Sequence, residues 1–180
     1  MFDEDIKIAG SSPSQALRRE AESDASAQLA AAKQSGELER AHQLGKKLAQ
    51  KLLTRDADVI LGLEAHEDVA NRVNLLAFTA TVGFQKHCRN ALVAASAYGA
   101  FYEEIKRCDP ALYDALSDAG VFSFYYLAYR RGNDVERRMG QTYAMLCGMD
   151  GDPVHQELGE ALYCHFSALV RDEIEKLKLE

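Results

Sequence analysis

The chain has 180 residues, 47% of them apolar and 27% charged, a composition that belongs to folded globular proteins and excludes wholesale disorder. Its formal charge of -7 excludes retention of nucleic acid or anionic lipid by bulk electrostatics, which leaves such partners only a local basic patch. A chain of this length buries a core without metal or disulfide staples and favours one domain.

The acidic opening, Met1-Phe2-Asp3-Glu4-Asp5, lacks the basic-then-apolar pattern of a secretory signal. The charge-free apolar segment from Ala91 to Tyr102 falls well short of the roughly 20 residues that span a bilayer. A soluble, cytoplasmic protein is expected, with Cys88, Cys108, Cys147 and Cys164 reduced and packed rather than paired.

In chain order, residues 1–12 mix charge, glycine and serine without period and are expected to form a disordered tail. Residues 13–180 are expected to be a single all-helical domain, with an N-terminal hairpin over 13–53 and a bundle core over 64–180. Pro13 to Lys33 suits a helix with a thin stripe of Leu17, Ala21, Ala25, Leu29 and Ala32, which buries little area. Ser35-Gly36 breaks it. Glu37 to Leu53 is the second arm, its Leu38, Ala41, Gly45, Leu48 and Leu52 at three-four spacing. That arm carries Arg40, Lys46, Lys47 and Lys51, with Arg55 just beyond. No aromatic interleaving accompanies them, so a solvated face is expected and nucleic acid is not. Asp56 to Leu63 fits either a capped single turn or a short extended piece.

The stretch from Glu67 to Arg107 dominates the chain. Val69, Val73, Leu76, Ala80 and Phe84 recur at helical spacing while Leu75, Phe78 and Val82 fill a second face, so this helix is expected to be buried nearly all round. Whether it continues through Lys86-His87-Cys88-Arg89-Asn90 stays open, Asn90 being the one cap available there. Beyond it, Ala91, Ala95 and Gly99 form a smooth strip suited to close helix approach.

Asp109-Pro110 starts a short helix expected to end near Ser117. Val121 to Gly132 has strand-like propensity, but a lone strand has no partner, and Gly132 fits a helix stop. Asp134 is expected to cap the next helix, with Val135, Met139, Thr142, Tyr143 and Leu146 inward and Gly148 at its end. Asp152-Pro153 starts a closing helix marked by Val154, Leu158, Ala161, Leu162, His165, Leu169 and Ile174, with the charged tail Arg171 to Glu180 leaving the body. The whole reads as an all-α bundle of six to eight helices around a buried central helix.

The chemistry-bearing motifs are sparse. A di-iron bundle needs two Glu-x-x-His pairs, and Glu39-Arg40-Ala41-His42 stands alone. His66-Glu67 lacks the second histidine of a zinc-protease motif, and His87-Cys88 and Cys164-His165 are neighbours that point about 100° apart on a helix. Asp150-Gly151-Asp152 is a turn without the twelfth-position glutamate of a calcium loop. Neither a nucleophile elbow nor a phosphate loop is present. No catalytic residue, metal or cofactor is expected.

Tyrosine placement is more informative, since all eight fall between Tyr98 and Tyr163. Tyr125, Tyr129 and Tyr143 with Arg130 and Arg131 suit a pocket for an anionic, partly apolar ligand. Equally, such tyrosines fill core and such arginines complement a helix end. The leading expectation is a non-enzymatic protein-interaction or oligomerisation module, self-associating through the alanine-striped helix or the basic one after it. A small-molecule sensor or carrier using those five residues comes second, and a metal-dependent enzyme third.

Overall fold

The computed structural model of the protein describes residues 26–27, 29–54, 69–116 and 119–180. The chain divides into two compact units, Met1–Gly36 and Glu37–Glu180. Of the first, 26–27 and 29–34 are helical. The expected tail, most of the first hairpin arm and the 55–68 segment lie outside the described residues. The second unit contains α1 (Glu37–Leu53), α2 (Val69–His87), α3 (Ala91–Cys108), α4 (Pro110–Leu116), α5 (Ala119–Arg130), α6 (Val135–Leu146) and α7 (Pro153–Lys176). The protein is all-α, and among the described residues there is no strand.

Helix α2 is the interior rod of this unit. Every side chain from Arg72 to Ala80, and again from Val82 to Phe84, is buried, because α1, α3, α5, α6 and α7 all pack on it. Burial of each large aliphatic or aromatic side chain contributes about 1.5–3 kcal/mol, so a helix apolar on all faces is driven inside. Its threonines are satisfied locally: the Thr79 hydroxyl donates to the Leu75 carbonyl at 2.7 Å and the Thr81 hydroxyl to that of Ala77 at 3.0 Å. The open question at Lys86 to Asn90 resolves as a break. α2 stops at His87, and Asn90 turns extended, its side-chain oxygen accepting from the Val93 N–H at 2.9 Å to start α3.

Helices α1 and α3 run side by side in the same direction, Ser96 Oγ donating to the Leu38 carbonyl at one end and Gln50 donating to Glu104 at the other. The smooth strip that makes this contact is not the expected one. Ala91 and Ala95 are exposed and Gly99 faces open space. Val93, Phe101 and Ile105 set which face of α3 turns inward, and the small residues in register with them are Ala94, Ala97 and Ala100.

The apolar stripe of α1 is spent within the fold, with Ala41, Leu44, Leu48 and Ala49 each 0% exposed. Part of its basic excess is spent there too. Lys47 Nζ lies 2.5 Å from the Glu173 carboxylate, Arg40 donates to the Leu177 carbonyl at 3.1 Å, and at the head of α1 Glu37 pairs with Arg89.

In the region of ambiguous propensity, 121–131, residues 121–130 are helical. α5 ends at Arg130, and Gly132 just beyond it has a φ of 80°, which is favoured only for glycine. Asp134 stands at the N-cap position of α6 but makes no side-chain cap bond, contrary to expectation; its backbone is left-handed (φ 51°) rather than in the extended conformation that a capping side chain needs. Asp152 does cap α7, accepting from the His155 N–H at 2.9 Å.

α6 and α7 cross closely, since a Cβ on Gly159 would meet Tyr143 Cβ at 2.6 Å. Val154 is 68% exposed rather than inward-facing. The charged tail does not leave the body: Ile174 and Leu179 are fully buried, and the Leu179 carbonyl accepts from the Arg89 N–H at 2.8 Å. Helical period explains this, for Arg171, Asp172, Glu175 and Lys176 share the outer side while Val170, Glu173 and Ile174 share the inner one.

Candidate functional site

The five residues nominated as a ligand pocket are distributed between interior and surface. Tyr125 and Tyr143 belong to the core. The Tyr125 hydroxyl is enclosed without a hydrogen-bond partner, and burial, with Cys147 and Tyr143 nearby, pushes that phenol far above its ordinary range. Tyr129 is half-buried and meets Phe78 edge-on at 6.4 Å, on the same aromatic residue that Tyr125 approaches at 5.5 Å. Arg130 and Arg131 are exposed, and the Arg130 guanidinium covers the ring of Tyr126 at 5.8 Å. The structure thus groups Tyr125 and Tyr129 around Phe78 and engages Arg130 with a different tyrosine.

All four cysteines are free. Burial pushes the Cys88 thiol up to about 11, which disfavours the thiolate, and burial followed by the Glu136 and Glu160 carboxylates raises Cys164 as well. Among the described residues no three His, Cys, Asp or Glu side chains are placed to hold a metal ion. Nor is any described helix long and apolar enough to cross a membrane.

What the structure does assemble is an apolar belt over α2, α3 and α5. A groove of about 610 Å³ runs between the C-terminal half of α2 and the start of α3, lined by Phe84, Ala91, Ala94, Ala95 and Tyr98. A second, of about 530 Å³, runs between α2 and α5, lined by Phe78, Val82, Phe122, Tyr126 and Leu127. They meet at Thr81 and Gln85, which line both.

Three of the lining side chains are ones a monomer leaves in water: Leu127 is 60% exposed, Tyr126 51% and Tyr98 45%, and Phe124, 49% exposed, lies one helical turn from Leu127 on α5. Tyr98 stacks on Tyr102 at 4.7 Å. Tyr102 donates to Thr81 at 3.3 Å, since the Thr81 proton is already given to Ala77. Burial pushes the Tyr102 phenol up to about 12, so it remains a neutral donor. Among the described residues no aspartate or glutamate lines either groove, and the one charged lining residue, Arg89, is paired with Glu37.

The belt was partly readable in advance. No charged residue occurs from Ala119 to Tyr129, so a helix there is apolar on every face. The rod α2 needs only one face of it, which leaves Phe124, Tyr126 and Leu127 outside. Comparison with protein-family models, with curated proteins and with solved structures finds no match to this chain.

Proposed function

We propose that the protein is a non-enzymatic helical interaction module and that the belt over α2, α3 and α5 is its docking surface for a helix with an uncharged, apolar face. The observation that carries this is the continuity of two grooves, with no carboxylate among their described lining residues, with the half-exposed Tyr98, Tyr126 and Leu127 that line them in a chain of net charge -7. Contiguous apolar surface of that kind marks interaction sites, and helix-in-groove recognition uses such anchors at helical spacing. The belt replaces the basic helix as the expected surface, because the apolar stripe of that helix is occupied by the fold itself; most of the alanine-striped helix lies outside the described residues. Four free thiols suit a cytoplasmic setting.

Binding of anilinonaphthalene sulfonate to dilute, folded protein tests whether the surface is open. The native chain is expected to enhance dye fluorescence and the double substitution Tyr98→Glu with Leu127→Glu to lose most of the enhancement while keeping its helical circular dichroism. Native protein that leaves the dye dark would mean the belt is covered by the chain itself, and the proposal would fail. A ligand-carrier function is the second reading, favoured by the unpartnered Tyr125 hydroxyl in the core.

A further inference from the structure

Resting on the reading of the belt as a docking surface, we infer that the helix that docks there is α5 of a second copy of this chain, the two related by a two-fold axis. Three features favour a like partner. First, ridge and groove lie side by side: Phe124 and Leu127 protrude from α5, and Leu127 also forms one wall of the groove whose other wall is Phe78 and Val82 of α2. A two-fold operation that brings the ridge of one copy to the groove of the other brings the reverse pair together at once, which is the self-complementarity that an isologous contact requires.

Second, the area fits a weak, concentration-dependent pair. Large aromatic side chains bury about 150–250 Å² each, so Tyr98, Phe124 and Tyr126, each about half-exposed, together with Leu127 offer on the order of 400 Å² per copy. That is about half of the roughly 800 Å² per partner of a stable interface, the range of transient contacts. Third, the charge distribution permits it. Two chains of net charge -7 repel in general, but among the described residues neither groove brings a carboxylate to the contact. Added salt therefore screens the repulsion and tightens the pair, whereas an acidic or basic partner held by charge would be weakened by the same salt.

Sedimentation velocity of the full chain across the micromolar range tests the inference. The native protein is expected to shift with concentration from 19.9 kDa toward twice that mass, and to shift further in high salt. Leu127→Glu, at a position already 60% exposed, is expected to stay at monomer mass with unchanged circular dichroism and thermal midpoint. Val154→Glu, at an equally wet apolar position on α7, is expected to associate like the native chain.

A native chain that remains a monomer throughout would overturn the inference. So would a Leu127→Glu chain that still pairs, or a Val154→Glu chain that does not. A monomer that nonetheless binds the apolar dye loses only the second copy as occupant; a monomer that leaves it dark loses the docking surface as well.

Discussion

Gly45 of α1 and Ala97 of α3 are in direct backbone contact: a Cβ built on Gly45 would overlap the Ala97 carbonyl oxygen and lie 2.9 Å from Ala100 Cβ. The obstruction is largely backbone, with the Phe101 nitrogen 2.8 Å away, so no rotamer change relieves it. Gly45→Ala is expected to destabilise the protein by about 1–3 kcal/mol through overpacking, a fall of about 2–4 °C in Tm per kcal/mol for a chain of this size. Gly99→Ala, facing open space on the same α3, is expected to gain about 0.5–1 kcal/mol of helix propensity. Thermal unfolding of the two variants checks the pair, and equal shifts would contradict the described register.

Glu104 is the next link between these helices. It accepts two bonds from Arg107, at 2.7 and 2.9 Å, and one from Gln50 at 3.1 Å. Those bonds, Arg107 first, hold its carboxyl down at about 2 against an ordinary 4.5. A carboxyl lowered in the folded state contributes stability that is complete above 4.5 and is lost as pH falls toward 2. Stability measured between those limits is expected to slope downward on acidification, and Glu104→Gln to flatten that slope while lowering stability at neutral pH. Glu173 adds to the same slope, burial raising its carboxyl but Lys47 and Lys176 together lowering it further. An unchanged acid slope in Glu104→Gln would contradict this assignment.

Caps give a finer test. Asn90→Ala removes the acceptor of the Val93 N–H and is expected to cost about 1 kcal/mol. Asp134→Gly removes no side-chain cap bond and relieves a left-handed aspartate, so it is expected to be neutral or stabilising. Urea unfolding distinguishes the two, and a loss at Asp134 comparable to that at Asn90 would mean its carboxylate has a structural partner.

Tyr125→Phe separates the two functional readings. Removing a buried hydroxyl that bonds to nothing is expected to stabilise by about 1–3 kcal/mol, the desolvation cost of an unsatisfied group. The aromatic contact with Phe78 at 5.5 Å remains. A drop in Tm would show that the hydroxyl is bonded to a guest within the core, and would favour the carrier reading.

Most of the fold was legible because its determinants are local or periodic. The cap at Asn90, the Asp-Pro starts at Asp109 and Asp152, and the stops at Gly132 and Gly148 are short-range chemistry, and α2 announces its burial by being apolar all round. What failed was rotation about helix axes. Ala91, Ala95 and Gly99 share a face as surely as Ala94, Ala97 and Ala100 do, and only the docking of Val93, Phe101 and Ile105 decides which set turns inward. The tail from Arg171 was misjudged for a similar reason, its charges being counted without regard to their side of the helix. Of the nominated pocket, Tyr125 and Tyr143 went inside and Arg130 and Arg131 outside. The belt arises where α3 and α5 flank α2, a relation between distant segments that no single stretch of sequence carries.

Native-state hydrogen exchange tests most directly whether α2 is the rod on which the other helices, and so the belt, are assembled. The amides from Val73 to Phe84 are expected to exchange only through global unfolding, forming the slowest set in the chain with one common free energy. Exchange of these amides ahead of those in α6 and α7 would contradict the architecture and remove the foundation of the docking surface.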